Sequence, residues 1–204
     1  MPTSVEAPLK PDKGEKIPPR QRILAAAGEL FYRHGIRAVG VESIAEAAGT
    51  NKMTLYRHFD SKDQLVAEYL RQEAGKADAY WTELARLHPG DPLAQIRAWL
   101  AGMAAHVADR NERGCALANA AVELPEKDHP ARAVIEDCKR RQRDELVRLC
   151  GSAGLSEPEM LADELLLLIE GARVTAQSMG ADGLDARLGR MSEALIAAHR
   201  QEIA

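Results

Sequence analysis

The sequence VESIAEAAGTNKMTLYRHF, at residues 41–59, contains two helical patterns separated by a glycine. Four apolar residues at i, i+3, i+4 and i+7 share one face of the first predicted helix: Val41, Ile44, Ala45 and Ala48. Gly49 follows directly, and glycine most easily adopts the left-handed conformation that ends a helix. The first pattern is therefore a short helix that stops at Gly49.

A second helical pattern begins immediately after this turn. Thr50 and Asn51 are residue types that favour turns and helix N-caps. In the residues that follow, apolar side chains are interrupted by polar ones. The apolar set is Met53, Leu55, Tyr56 and Phe59, and the polar set is Lys52, Thr54, Arg57 and His58. A helix, a glycine turn and a short helix with basic and hydroxyl groups are typical of a helix-turn-helix, whose second helix enters the DNA major groove.

The surrounding sequence resembles a known family. The run GIRAVGVESIAEAAGTNKMTLYRHFDSKDQLV, at residues 35–66, is similar to the N-terminal signature of the tetracycline-repressor (TetR) family of bacterial transcriptional regulators. The resemblance covers residues 18–75. It depends on many residue types at fixed spacing: Phe31, Gly35, the Ile44-Ala45 pair, Gly49, the block TLYRHF at 54–59 and the Ser61-Lys62 pair.

Composition predicts an all-α protein. Only 4% of the 204 residues are aromatic, Ala and Leu are abundant, and no segment shows sustained β-branched alternation. Proline and glycine divide the chain into about nine predicted helices. This number matches the TetR arrangement of three helices in a DNA-binding domain and six in a ligand-binding and dimerisation body.

The predicted division of the chain has three parts. Residues 1–19, with five prolines and three lysines, read as a disordered tail. Residues 20–64 form the helix-turn-helix domain, and residues 65–204 form the body. Residues 1–60 carry nine Lys and Arg against seven Asp and Glu, whereas the rest carries eighteen against twenty-four. A mildly basic end on an acidic body is consistent with a protein that meets DNA at one end.

The predicted DNA contacts cluster at the second helix of the motif. Its first residues point toward base edges, and Lys52 can donate to guanine while Met53 or Thr54 meets a thymine methyl. The resemblance implies phosphate contacts for three further positions, Tyr56, His58 and Lys62. The complete predicted set is Ser43, Thr50, Asn51, Lys52, Met53, Thr54, Tyr56, His58 and Lys62. The alternatives are a packing role for Tyr56, a solvated side chain for Lys62 and a surface role for His58.

Two residues depart from the family pattern. Gly40 stands where the first helix of the motif usually has a Thr or Ser N-cap, and glycine is a weaker cap. Glu42 stands where the family often has a base-reading Arg or Lys. A carboxylate can accept from cytosine N4, but the favoured interpretation is that Glu42 faces away.

Family resemblance implies that the body binds a small molecule and forms a homodimer through its last two long helices. The sequence supports this independently, because the predicted helix 158–179 is apolar on all sides at Leu165–Ile169 and the predicted helix 184–203 carries its own apolar stripe. A two-fold dimer matches a palindromic operator. The alternative is that these helices pack only within one chain.

The candidate ligand pocket consists of polar residues among apolar ones: Trp99, Met103, His106, Val107, Cys115, Asn119, Glu123, Arg173 and Gln177. Each of them alone can equally have a core or surface role. Cys115, near Arg113 and at a helix start, is a candidate electrophile or oxidant sensor. A buried and inert thiol is the favoured alternative.

The predicted function is a ligand-responsive repressor that is released from its operator by an unknown small molecule. The competing classes are an enzyme and a pure redox sensor acting through Cys115. The sequence has no metal-spaced His/Cys cluster, phosphate-binding loop or nucleophile elbow. We therefore predict no enzyme activity, no cofactor, no metal and no membrane partner. An odd number of cysteines and no signal sequence favour the cytoplasm.

Overall fold

The computed structural model describes residues 17–200. This part of the chain folds into nine α-helices without a β-strand, as the all-α prediction requires. The helices are α1 (Pro19–His34), α2 (Val41–Ala47), α3 (Lys52–His58), α4 (Lys62–Leu87), α5 (Pro92–Ala108), α6 (Ala116–Glu123), α7 (Pro130–Ser152), α8 (Pro158–Met179) and α9 (Leu184–Ala198).

Proline and glycine set many of these boundaries. Proline is the first residue of α1, α5, α7 and α8, where its missing N–H leaves no helix hydrogen bond unmade. Gly35 follows α1 with a φ of 86°, and Gly180 follows α8 with a φ of 92°. The predicted helix bounds are therefore close to the observed ones. The predicted tail at 1–19 lies almost wholly outside the described residues, as do positions 201–203 of the last predicted helix.

The first buried cluster holds α1, α2 and α3 together. Ile23 and Phe31 of α1, Ile44 of α2 and Leu55 of α3 are all at most 3% exposed. The same cluster continues into the body through Leu117 of α6 and other residues of α6 and α7. Packing therefore crosses the predicted boundary at residues 64 and 65, and that boundary remains a proposal.

The second buried cluster belongs to the body. Trp99 of α5, Leu146 of α7, Leu165 of α8 and Leu188 of α9 lie within it. The indole rings of Trp81 and Trp99 stack with their centroids 5.4 Å apart. In the described part of the chain, no helix has both the length and the apolar character that crossing a lipid bilayer demands.

Helix α4 connects the two clusters. It has 26 residues, which corresponds to a length of about 39 Å. Its N-cap is Ser61, whose Oγ accepts from the backbone N–H of Gln64 at 3.0 Å. The first half contributes Leu65 and Leu70 to the first cluster, and Leu84 near the end belongs to the second.

Leu55→Ala should lower the free energy of unfolding by about 2–5 kcal/mol, because it leaves a cavity beneath α3 where Leu55 is fully buried. Leu87→Ala makes the same chemical change at a residue that is 53% exposed and should cost less than about 0.5 kcal/mol. Urea unfolding followed by circular dichroism, at one protein concentration, measures both. Equal midpoints for the two variants would contradict this account of the core.

Candidate nucleic-acid interface and body cavity

Helix α3 is fixed by its cap and its buried side. The side-chain Oδ1 of Asn51 accepts from the backbone N–H of Thr54 at 2.9 Å, which starts the helix. Gly49 has a φ of 61° and closes the turn before it. Leu55 and Phe59 are buried at 0% and 2% exposure, so the opposite side of this short helix faces outward.

The outward side carries most of the predicted DNA contacts. Met53 is 79% exposed, which leaves this large apolar side chain without a packing role in the free chain. Tyr56 is 42% exposed, so packing accounts for only part of its surface. Four more predicted contacts are exposed and two are half-buried: Ser43, Asn51, Lys52 and His58 are exposed, and Thr50 and Thr54 are half-buried. Arg57, which the sequence analysis left out, is exposed on the same helix.

Glu42 turns toward α3 instead of facing away. Its Oε1 lies 2.6 Å from the Nζ of Lys52, and both side chains are exposed. The hydrogen bond from Lys52 lowers the pKa of Glu42, and the same bond raises the pKa of Lys52. The carboxylate of Glu42 therefore already binds the ammonium group of Lys52, which is predicted to contact a base.

Lys62 is neither a solvated side chain nor a free cation. Its Nζ donates to the carbonyl oxygen of Ile36 at 2.6 Å and lies 6.0 Å from the centroid of the Phe31 ring. Burial lowers the pKa of this half-buried ammonium. A phosphate contact by Lys62 would have to share or displace the bond to Ile36.

A large cavity of about 680 Å³ lies between α1, α4, α5, α6, α7 and α8. Five of the predicted pocket residues line it: Trp99, Met103, His106, Cys115 and Arg173. Val107 lines a neighbouring cavity of about 410 Å³. Tyr32, Tyr80, Trp81 and Lys139 also line the cavity and are not among the residues predicted from the sequence. The sequence offers a signal only for Tyr80 and Trp81, which are adjacent aromatic residues, and none for Tyr32 or Lys139.

Three predicted pocket residues lie outside the large cavity and make structural contacts. The side-chain amides of Asn119 and Gln177 both donate to the carbonyl oxygen of Arg113, each at 2.7 Å. Glu123 Oε2 accepts from the backbone N–H of Arg37 at 3.1 Å. Glu123 also fills the space beside Gly35, where an added Cβ would lie 3.0 Å from its carboxylate.

Tyr32 joins α1 to the segment between α5 and α6. Its hydroxyl donates to the carboxylate of Glu112 and accepts from the backbone N–H of Arg113 at 2.7 Å. Burial, together with the bond to Glu112, raises the pKa of Tyr32. The phenol therefore stays protonated, and it anchors the end of α1 to the rim of the cavity.

The three cysteines differ in accessibility. Cys115 is half-buried and its Sγ lies 3.6 Å from the Nζ of Lys139, whereas Cys138 and Cys150 are buried. Burial raises the pKa of the Cys138 thiol, and it raises the pKa of the Cys150 thiol to about 11. No group of three or more His, Cys, Asp or Glu residues within 17–200 is arranged to hold a metal ion.

The family model described as bacterial regulatory proteins, tetR family, matches residues 23–69. Among curated proteins, the repressor KstR2 of Rhodococcus jostii is 44% identical over 64 residues, which are 31% of this chain and 31% of KstR2. The activator FasR of Mycolicibacterium smegmatis is 38% identical over 63 residues, 29% of each chain. These matches span about a third of the curated relatives.

Two solved structures extend the similarity to nearly the whole chain. SCO4454, a TetR-family transcriptional regulator from Streptomyces coelicolor, has a TM-score of 0.84 and 26% identity, covering 90% of this chain and 96% of its own. A putative TetR transcriptional regulator from Streptomyces avermitilis has a TM-score of 0.73 and 27% identity, covering 91% of this chain and 100% of its own. The all-helical architecture and the N-terminal motif therefore occur together in these proteins.

We predict that Cys115 reacts with a thiol reagent well before the other two cysteines at pH 8, because Cys138 and Cys150 are buried with raised pKa values. Absorbance during reaction with Ellman's reagent should show one fast and two slow thiols. Cys115→Ser should remove the fast phase, while Cys138→Ser and Cys150→Ser should keep it. A fast phase that persists in Cys115→Ser would refute this ranking.

Proposed function

This chain belongs to the TetR family of bacterial regulatory proteins, and from that premise we propose that it is a transcriptional repressor. In this proposal it binds a palindromic operator as a homodimer and leaves the operator when a small molecule occupies the body. Members of the family are transcription regulators and not enzymes, so the enzyme alternative is set aside. The cytoplasm is the proposed location.

The observation that carries the DNA-binding proposal is the outward face of α3. The cap at Asn51 and the burial of Leu55 fix the helix, and they leave Lys52, Met53 and Tyr56 exposed side by side. An exposed large apolar residue beside a cation and a phenol suits a surface that meets base edges and phosphates. The proposed contacts are the nine residues named from the sequence, and among them Lys62 would contact a phosphate while sharing or giving up its bond to the Ile36 carbonyl.

The proposed dimer interface is an exposed apolar stripe on α8 and α9. Met160, Leu167 and Val174 recur every seven residues on α8 and are 54%, 74% and 66% exposed. Met191 on α9 is 50% exposed. A stripe of this kind is poorly suited to water and well suited to a second copy of itself across a two-fold axis.

Ligand release has a physical route through this fold. Helix α4 lines the cavity through Tyr69 and Tyr80, while its first turn is bonded through Lys62 to Ile36, in the loop that connects α1 to α2 of the helix-turn-helix domain. A ligand that prefers a cavity of different shape would shift α4 and change the spacing of the two α3 helices in the dimer. Repression, and not activation, is the proposed outcome of operator binding.

A redox sensor remains the second candidate, and one observation favours it. Cys115 lies in the cavity wall beside the ammonium of Lys139, where an oxidant or electrophile can reach a half-buried thiol. Cys115→Ser separates the two functions. It should abolish the response to an oxidant in a redox sensor, whereas in a ligand-responsive repressor it can change the affinity for the ligand but should not abolish release from the operator.

Selection of bound sites from a random pool of double-stranded DNA should yield an inverted repeat. On that repeat, Lys52→Met should weaken binding about tenfold, because each good contact to a base or phosphate contributes about 1–3 kcal/mol. Lys76→Met is the matched control, since Lys76 is also an exposed lysine in an ion pair, with Glu73 on α4. Fluorescence anisotropy measures both affinities. No enriched repeat, or equal losses in the two variants, would refute the proposed interface.

Leu167→Glu should convert the dimer into monomers at micromolar concentration, because two symmetry-related carboxylates would be buried in the α8 stripe. Leu87→Glu, at an exposed leucine at the end of α4, should leave the dimer intact. Analytical ultracentrifugation measures the mass of each variant. A wild-type chain that sediments as a monomer would refute the proposed interface.

A further inference from the structure

The charged side chains around the large cavity differ in how completely they are paired with partners. Each lining carboxylate has a partner of its own. Glu73 pairs with Lys76 at 2.7 Å, and Glu29 pairs with Arg33 at 3.4 Å. Glu112 accepts from the Tyr32 hydroxyl and lies 3.2 Å from the Nε2 of His106. Glu29 and Glu73 are therefore each paired with a cation, and Glu112 is held by the Tyr32 hydroxyl and the His106 ring.

The two cations deeper in the cavity share a single carboxylate. Lys139 Nζ and Arg173 Nη1 lie 2.5 Å and 3.0 Å from the same oxygen, Oε1 of Glu170. Two positive charges and one negative charge leave this cluster with one positive charge in excess. The three residues come from α7 and α8, so the packing of these two helices assembles the cluster.

Arg173 lacks acceptors for most of its donors. Its side chain is only 10% exposed, and one of its Nη2 donors faces the thioether sulfur of Met103 at 3.2 Å, which is a weak acceptor. Its Nε has no hydrogen-bond partner among residues 17–200. A buried guanidinium in native proteins is normally fully hydrogen-bonded, so this one is suited to receive an acceptor from a ligand.

The rest of the cavity is apolar and aromatic. The stacked rings of Trp81 and Trp99, together with Tyr80 and Met103, line it. A volume of about 680 Å³ is in the range of cavities that enclose small organic ligands. The site therefore combines an apolar chamber with one local cluster, at Lys139 and Arg173, in which two cations share one carboxylate.

From this arrangement we infer that the effector is an apolar monocarboxylate, whose carboxylate binds Arg173 and Lys139 and whose apolar part lies against Trp99 and Met103. The planar carboxylate matches the fork of guanidinium donors, and its single charge suits a cluster of two cations that already share one carboxylate. This inference rests on the proposed function, because it names the class of ligand that the body would bind. It concerns binding to the cavity, which can be measured without DNA.

Paired probes test the inference directly. Trp81 and Trp99 are the only tryptophans of the chain, so intrinsic fluorescence reports on the cavity. The probes are octanoate with octanamide and phenylbutyrate with phenylbutyramide, which cover aliphatic and aromatic ligands. We expect at least one carboxylate to bind about tenfold or more tightly than its amide, since hydrogen bonds to charged groups are the stronger ones.

Two substitutions should act in opposite directions. Arg173→Met should weaken carboxylate binding about tenfold or more and leave amide binding within about twofold. Glu170→Gln removes the competing negative charge, so it should strengthen carboxylate binding about threefold or more. Arg148→Met, at an exposed arginine of α7 that pairs with Glu145, is the matched control and should change neither. A gain of affinity in Glu170→Gln cannot come from damage to the fold.

Several outcomes would overturn the inference. These are equal binding of acids and amides, no binding of either acid, preference for a sulfonate or phosphonate of the same apolar group, or weaker binding in Glu170→Gln. None of these outcomes changes the result expected from the DNA selection or from the Lys52→Met comparison. Conversely, failure to select an operator would refute the proposed repressor while the fluorescence result for the cavity stands.

Discussion

One rigid helix is shared by the two buried clusters, and the behaviour of the whole fold depends on this sharing. Helix α4 contributes Leu65 and Leu70 to the cluster that includes α1, α2 and α3, and Leu84 to the core of the body. A helix cannot shorten or bend sharply without breaking backbone hydrogen bonds, and its 26 residues contain no proline. Under the proposed ligand response, a displacement of α4 at the cavity would therefore reach its first half, which packs with α1, α2 and α3 in the first cluster.

A second connection runs through α6 and restrains the same motion. The hydroxyl of Tyr32 binds the segment before α6, and the carboxylate of Glu123 at the end of α6 binds the backbone of Arg37. Both contacts link the end of α1 to the body by directional hydrogen bonds, which tolerate little displacement. The N-terminal helices are thus bonded to the body at Tyr32 and at Glu123. Cys115, which lines the cavity, lies in the chain between the segment that binds Tyr32 and Glu123.

Local sequence signals were enough for the helices, but not for the contacts between distant helices. The bounds of α1, α4 and α8 follow from Pro19, Ser61 and Pro158, because caps and helix breakers act within one turn. The outward face of α3 follows from the spacing of Leu55 and Phe59. No such rule places Asn119 and Gln177 on the Arg113 carbonyl, or Glu170 between two cations, because these residues meet only after α6, α7 and α8 have packed. The pairing of Glu42 with Lys52 has the same cause, since Lys52 lies beyond the turn on the next helix.

The exposed stripe on α8 also links the behaviour of the protein to its abundance. Under the proposed two-fold association, chains below the dissociation constant of the dimer are mostly single, and the concentration of the paired form rises with the square of the total. Occupancy of a two-fold DNA site would then change more steeply than protein level itself. A modest change in synthesis or degradation of the chain would then switch DNA occupancy over a narrow range of protein concentration. The exposed side chains of Leu167 and Val174 would set the concentration at which this switch occurs.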